Sequence, residues 1–199
     1  MSAAAAVRWA KRSRPLAGEL ESGDVHVVSW FPGGVLLAVI DGLGHGHEAA
    51  VAARLAATIL ESDPERPPAE QIAQCHAELK RTRGAAMLVV SLSIVSEAIT
   101  WSGVGNVDGW LLRAGKRDAM ISRPGVVGYQ ITPPRDRSDV LRAGDLLVLA
   151  SDGIAHGFCE ALRTDGDVDE LAETILTNHA RAADDALVLV ARYQPEVVA

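Results

Sequence analysis

Short runs of Val, Ile, Leu and Ala recur along almost the whole chain, among them "VHVVSW", "GVLLAVI", "AAMLVVSLSIV", "AITWSGV", "VDGWLLRA", "DLLVLAS" and "ALVLVARY". Most are roughly four to eight residues long and are closed by Gly, Pro or charged residues, which is the pattern of strands rather than helices. Several follow one another with only a turn between, as in "LSIVSEAITW" and "WLLRAGKRDAMI", and so short a link joins antiparallel neighbours. The sequence therefore predicts a largely antiparallel β-rich fold.

Three segments break the pattern. "HEAAVAARLAATILES" repeats apolar residues at helical spacing and stops before Asp63-Pro64, with Val51, Leu55 and Ile59 as its expected packing stripe. From Pro68 to Gly84 the spacing predicts a second helix with Ile72, Cys75 and Leu79 on one face and the basic run "KRTR" in its last turn. "DVDELAETILTNHA" reads as a third, with an acidic first turn and Leu171, Ile175 and Leu176 facing inward. Helices placed early and late among many strands give an α+β class, with sheets covered by helices. Pro124 to Ser138 is the longest stretch expected to be irregular. Trp30, Trp101 and Trp110 fall in strands and are expected to pack on the sheets.

At 199 residues the chain suits one domain, expected to have its core over about residues 20–193 and a frayed N-terminus. With 26 acidic residues against 19 Lys and Arg, the formal charge of -7 repels nucleic acid and anionic membrane surfaces, so neither is an expected partner. No apolar run approaches the roughly 18 residues of a membrane span. Cys75 and Cys159 belong to no C-x-x-C pair, so a reducing, cytoplasmic setting is expected and no zinc site or disulfide framework is indicated.

Acids mark the strand ends. Asp24 precedes "VHVVSW", Asp41 closes "VLLAVI", Asp152 closes "LLVLAS", and Asp184 with Asp185 opens "ALVLV". An aspartate at a strand end projects beyond the sheet while the apolar strand behind it holds its backbone rigid. Carboxylates gathered in this way repel one another unless a divalent cation neutralises them, and an oxygen-only set favours Mg²⁺ or Mn²⁺. In "DGLGHG" the bare Gly42 leaves its backbone carbonyl free to join such a set, and "SDGI" repeats the Asp-Gly pair at Asp152 and Gly153. Two cations held by bridging carboxylates activate a shared water for attack on a phosphate ester without a histidine or cysteine nucleophile.

In order, "SGD" (Ser22 to Asp24), "DGLGHG" (Asp41 to Gly46), "RGAAMLVV" (Arg83 to Val90), "GVGNVDGWLL" (Gly103 to Leu112), "GVVGY" (Gly125 to Tyr129), "DLLVLASDGI" (Asp145 to Ile154) and "ADDALVLV" (Ala183 to Val190) resemble the metal-dependent type-2C (PPM) protein phosphatases. The resemblance is strongest to the bacterial SpoIIE and RsbX branch and spans Gly23 to Arg192. It implies an αββα sandwich, a two-metal site holding Mn²⁺ or Mg²⁺, and hydrolysis of phosphoserine or phosphothreonine by a two-metal-activated water. On that pattern Asp41 resembles the carboxylate bridging both metals, with Gly42 giving its carbonyl. Asp152 and Asp184 resemble ligands of the more buried metal, and Asp24 the acid near the other. Asn106 and the "RGAA" turn match structural motifs beside the site.

The chain also departs from that pattern. Larger relatives carry an arginine just before the first acidic motif to hold the substrate phosphate, where this chain has Glu19 and Leu20. The aspartate for a third metal is replaced by "ISRPG", and the short Pro124 to Ser138 segment leaves no room for a large flap subdomain. A chain that is almost all phosphatase is similar to the stand-alone RsbX type. The resemblance then implies phosphorylated STAS-domain proteins, the scaffold and antagonist components of the stressosome, as substrates in stress signalling.

Simpler readings stand beside these. A single Asp-Gly after a strand is usually a hairpin turn. Asp185 is an alternative to Asp184, since strand neighbours point to opposite faces. His45, His47 and His156 suit surface or loop packing better than ligation, and "KRTR" a helix C-terminus. The "GLGHG" turn precedes a helix but lacks the Lys-Ser/Thr ending of a P-loop. The alternative function is a catalytically weak phosphoprotein-binding module of the same fold.

Overall fold

The computed structural model describes residues 6–195 apart from 114, 161 and 163. In chain order its elements are β1 (Val7–Arg14), β2 (Asp24–Phe31), β3 (Gly34–Gly42), α1 (His47–Ser62), α2 (Pro68–Glu78), β4 (Ala85–Ser93), β5 (Ala98–Val104), β6 (Asp108–Arg113), β7 (Lys116–Ala119), β8 (Gly125–Val126), β9 (Gln130–Ile131), β10 (Arg137–Val140), β11 (Leu146–Ala150), α3 (Val168–His179) and β12 (Ala186–Tyr193). Two five-stranded antiparallel sheets result, ordered β1-β12-β11-β6-β7 and β10-β5-β4-β3-β2, with β8 and β9 forming a separate two-stranded ribbon. This is the expected α+β sandwich with helices outside.

The continuous apolar runs are explained by burial on both faces. In β3, Val35, Leu37 and Val39 join Leu88, Val90, Leu111, Leu147, Leu149, Leu187 and Leu189 in the core between the sheets. Their neighbours Leu36, Ala38 and Ile40 face the opposite way, into a second core with α1 and α2. Across the sandwich, Val148, Val188 and Val190 form a third core with Leu171, Ala172 and Ile175 of α3. The outer strands β7 and β10 are exposed along their length and carry charged residues, which keeps these edges from pairing with other chains.

Several elements differ from the sequence expectation. Strand β1 occupies Val7–Arg14, inside the segment expected to fray; residues 1–5 lie outside the described residues. Its basic side chains hide it from a hydrophobicity pattern, yet it pairs with β12 from Val7↔Tyr193 to Arg14↔Ala186. Helix α2 ends at Glu78 rather than near Gly84, and Leu79–Arg81 tightens into a 3₁₀ turn. The Pro124 to Ser138 stretch contains the β8–β9 ribbon and the start of β10. Helix α3 is capped as its acidic start suggests, with Asp167 accepting from Asp169 N at 2.9 Å.

The packing face of α1 is also corrected. Val51 and Leu55 are 40% and 37% exposed, whereas Ala49, Ala50, Ala52, Ala53, Ala56 and Leu60 are buried. Alanines turn inward because the helix lies close against β2 and β3, leaving no volume for branched side chains. Replacing Ala56 by Leu is therefore expected to cost about 1–3 kcal/mol through overpacking. Leu55→Ser is expected to stay within about 0.5 kcal/mol, as surface changes do, and urea unfolding of both variants tests which face is inside.

Candidate active site

The pleat of β3 decides where Asp41 goes. It follows Ile40, which faces the helices, so Asp41 shares the face of Val39 and Leu37 at the open end of the space between the sheets. Asp24 is its direct cross-strand partner. From the opposite sheet, β11 delivers Asp152 just beyond Ala150, and the turn before β12 delivers Asp184. Asp41 lies within electrostatic reach of Asp24, Asp152 and Asp184. The structure thus brings Asp24, Asp41, Asp152 and Asp184 to one end of the sandwich, two from each sheet.

Their mutual effect is visible in their proton affinities. Burial, reinforced by the charges of Asp24, Asp152 and Asp184, pushes Asp41 up to about 9. Burial likewise lifts Asp24 to about 7, against the pull of the Ser151 hydrogen bond and with the charges of Asp185, Asp152 and Asp184 behind it. Asp184 is raised by burial first and then by Asp152, while the nearby His45 lowers it. The cluster holds more negative charge than its surroundings neutralise.

Three residues set the geometry: Ser151 and Asp185, whose supporting roles the sequence does not show, and Asn106, expected as a structural residue beside the site. Ser151 Oγ donates to Asp24 Oδ2 at 2.6 Å and accepts from Leu187 N at 2.9 Å, so one buried hydroxyl ties Asp24 to the far sheet. Asp185 is buried and accepts from Gly23 N and Leu16 N, both at 2.8 Å, fixing the backbone just before Asp24. It therefore serves as a brace, and of the two neighbours Asp184 is the one left for the site. Asn106 Nδ2 donates to Asp152 Oδ2, orienting that carboxylate from the β5–β6 turn. The "SD" and "DD" pairs are the sequence signal for the first two, but their partners are remote in sequence and no local pattern names them.

The histidines fall outside the cluster. His45 and His47 pair through Nδ1 with Glu19 Oε1 and Glu21 Oε1, each at 2.6 Å, and Arg54 also bonds Glu21. His156 pairs with Asp108 at 2.8 Å. In "KRTR", Arg83 clamps Glu48 at the start of α1 instead of completing a helix end.

Does an oxygen-liganded cation fit here? The donors are carboxylates and backbone carbonyls, the set that Mg²⁺ and Mn²⁺ favour. A Cβ on Gly42 would overlap the Ala49 carbonyl, so the close approach of α1 requires glycine there. Among the described residues, no three His, Cys, Asp or Glu side chains already converge as a finished cage. The positive indication is the donor set itself: Asp24 and Asp41 pair directly across β2 and β3, and Ser151 and Asn106 orient Asp24 and Asp152 at the same end of the sandwich. The residues fit such a cation.

The sequence model of the SpoIIE family, Stage II sporulation protein E, matches residues 32–194. The chain belongs to the SpoIIE family. A chain solved in work on the bacterial stressosome as a modular system adapted to control secondary messenger signaling is 30% identical, with a TM-score of 0.87 over 94% of this chain and 99% of that one. RsbX in complex with magnesium has the same fold at 18% identity, with a TM-score of 0.87 over 95% and 96% of the two chains. The catalytic domain of the serine/threonine protein phosphatase PstP, solved with two manganese ions, matches at 20% identity with a TM-score of 0.73 over 96% and 99%. No curated protein matches in sequence. This SpoIIE-family chain has the PP2C-type phosphatase fold without a large flap, and among the described residues no helix is long and apolar enough to cross a membrane.

The carboxylate cluster makes stability depend on pH with a definite sign. Asp24 and Asp41 have folded-state values of about 7 and 9 against 3.8 for a freely solvated carboxyl, so the folded protein binds more protons than the unfolded chain between these limits. Their contribution is full below about pH 4 and is lost as pH rises through 7 and then 9. In EDTA the melting temperature is expected to fall from pH 5 to 9, more steeply than in Asp41→Asn; equal slopes in thermal melts would contradict the clustering. Stabilisation by Mn²⁺ should grow over the same interval, because its binding releases those protons.

Proposed function

We propose that this chain is a metal-dependent protein serine/threonine phosphatase that acts on phosphorylated STAS-domain regulatory proteins of the stressosome type. The observation that carries the chemistry is the meeting of Asp24, Asp41, Asp152 and Asp184 at one end of the sandwich, in a chain of the SpoIIE family. The substrate class is supported by the match to a chain from stressosome work and by the fold shared with RsbX. We place the activity in one domain spanning residues 1–199, in the cytoplasm.

Asp24, Asp41, the Gly42 carbonyl, Asp152 and Asp184 would hold two divalent cations, Mn²⁺ or Mg²⁺, with Asp41 shared between them, Asp152 and Asp184 serving one and Asp24 the other. The chemistry supplied by cations bound to such a set is activation of water for attack on phosphorus and neutralisation of charge on the phosphoryl oxygens. The chain's own part is orientation and proton release. Asn106 donates to one oxygen of Asp152 and Ser151 to one oxygen of Asp24, which fixes the orientation of both carboxylates. Asp24 and Asp41 must shed their protons to bind, and the departing serine oxygen takes one from water or a nearby acid. Glu19 and Glu21 are bound by His45, His47 and Arg54, and the sequence from Pro15 to Asp24 carries no arginine to clamp the scissile phosphate.

Phosphate release from a phosphoserine STAS-domain protein and from p-nitrophenyl phosphate, with Mn²⁺, Mg²⁺ or EDTA, tests the proposal. Turnover should require the cation and fall by about 10²–10³-fold or more in Asp41→Asn with the fold retained. A folded wild-type protein that binds the phosphoprotein but releases no phosphate with any metal would instead be a binding module. Ser151→Ala is expected to raise the Mn²⁺ concentration for half-maximal activity by about 10–100-fold, the usual effect of removing a group that orients a ligand.

A further inference from the structure

On the outer side of β5, a pocket of about 220 Å³ is lined by Arg123, Arg135 and Arg137 together with Trp101. Among the described residues none of the three guanidinium groups is ion-paired, although the chain carries a net charge of -7. The acids close by are engaged elsewhere: Asp136, between two of these arginines, accepts from Ala69 N of α2 at 2.8 Å, and Asp139 bonds Arg113. The nearby hydroxyls are also spent, Ser102 Oγ on Arg135 O and Ser122 Oγ on Val107 O. The indole N–H of Trp101 is buried with no acceptor. The three guanidinium groups therefore bring donors and positive charge to the pocket with no carboxylate bound to them among the described residues, which is the composition of an oxyanion site.

Its position ties it to the carboxylate cluster. Asp41 is paired with Ala86, Met87 with Val104, and Val104 with Arg123, so Arg123 lies on the same end of the sheet as Asp41. Arg123 N donates to Gly103 O and Gly105 N to Arg123 O, both at 2.9 Å, anchoring Arg123 to the strand end that leads into Asn106. Three strand spacings separate Arg123, at the near end of the pocket, from Asp41, on the order of 15 Å, and Arg137, opposite Trp101, lies further along the strands. That span is too long for the arginines to hold the phosphate being hydrolysed. It matches about four or five residues of extended peptide.

We infer that the Arg123, Arg135 and Arg137 pocket binds a second phosphoryl group of the substrate, four or five residues from the phosphoserine under attack. The identity of this anion rests on the phosphatase reading above, whereas the pocket itself does not. A chain without an arginine before its first acidic motif thus places its substrate-binding cations on the far side of the carboxylates. Free inorganic phosphate shares the chemistry, and the two sources are separated by experiment.

The test has two arms and uses Arg135→Gln/Arg137→Gln, both at exposed positions, with its anion-free melting temperature as the folding control. In EDTA, sulfate should raise the melting temperature of the wild type, and the variant should need at least about tenfold more sulfate for the same shift. With Mn²⁺, a phosphoserine peptide bearing a non-hydrolysable phosphonate four or five residues away should have kcat/KM about tenfold above the singly phosphorylated peptide, through KM, and the variant should lose this preference. An equal response to sulfate in both proteins overturns the pocket. A sulfate difference without a peptide preference overturns the substrate assignment in favour of free phosphate. A sulfate difference with no hydrolysis of any peptide overturns the phosphatase reading and leaves the pocket standing.

Discussion

Four carboxylates are held at one end of a sandwich whose interior offers them no counter-charge. Their repulsion would scatter them on a flexible surface. Here Asp41, Asp152 and Asp184 stand at the ends of strands buried on both faces, Asp24 sits on the half-buried edge strand β2 paired to β3, and the core of Val35, Leu37, Leu88, Leu147, Leu187 and Leu189 fixes the two sheets against each other. Hydrophobic burial thus supplies the force that keeps like charges together. The resulting rise in the proton affinities of Asp24 and Asp41 is the electrostatic cost of that arrangement, and a bound divalent cation offsets it.

The same constraint explains the glycines and alanines around the cluster. A Cβ at Gly42 would overlap the Ala49 carbonyl, and one at Gly153 would overlap the Asp185 carbonyl, so each Asp-Gly pair brings another backbone hard against the strand end. Close approach lets Asp185 reach Gly23 N and lets the turn after Asp152 accept from Arg181 N at 2.7 Å. Just beyond β11, Ser151 N donates to Leu187 O at 3.0 Å, while its hydroxyl accepts from Leu187 N and donates to Asp24. Buried polar groups here are paired across the sheets, so the mouth of the sandwich is stiff where the acids emerge.

Much of this was legible in the sequence because it is encoded locally. The strand runs, the stop before Asp63-Pro64 and the recurrence of acids at strand ends are all short-range patterns, and the order of the motifs pointed to the fold. What stayed hidden is encoded between distant residues. Asp185 and Ser151 look like ordinary neighbours of Asp184 and Asp152 until the fold supplies Gly23 and Asp24 as their partners. Helical spacing marked Val51 and Leu55 as inward because they are larger than alanine, but the short distance between α1 and the sheet selects the alanine face. Strand β1 escaped a hydrophobic reading because pairing with β12, rather than burial of its own basic side chains, makes it a strand.

The distribution of cations around the mouth follows from these placements. On the α1 side, Arg54 and Arg83 are bound to Glu21 and Glu48, and His45 and His47 to Glu19 and Glu21, so the basic side chains of that rim are already engaged. Beyond β5, Arg123, Arg135 and Arg137 stand without acid partners among the described residues. A phosphorylated segment approaching a protein of net negative charge is repelled at long range, so orientation at the surface depends on the few places where that field is locally reversed. Binding energy gathered there, away from the reacting phosphate, positions the substrate without stabilising its ground state at the scissile bond. Selection among phosphoproteins then falls to residues outside the cluster of acids that the fold requires.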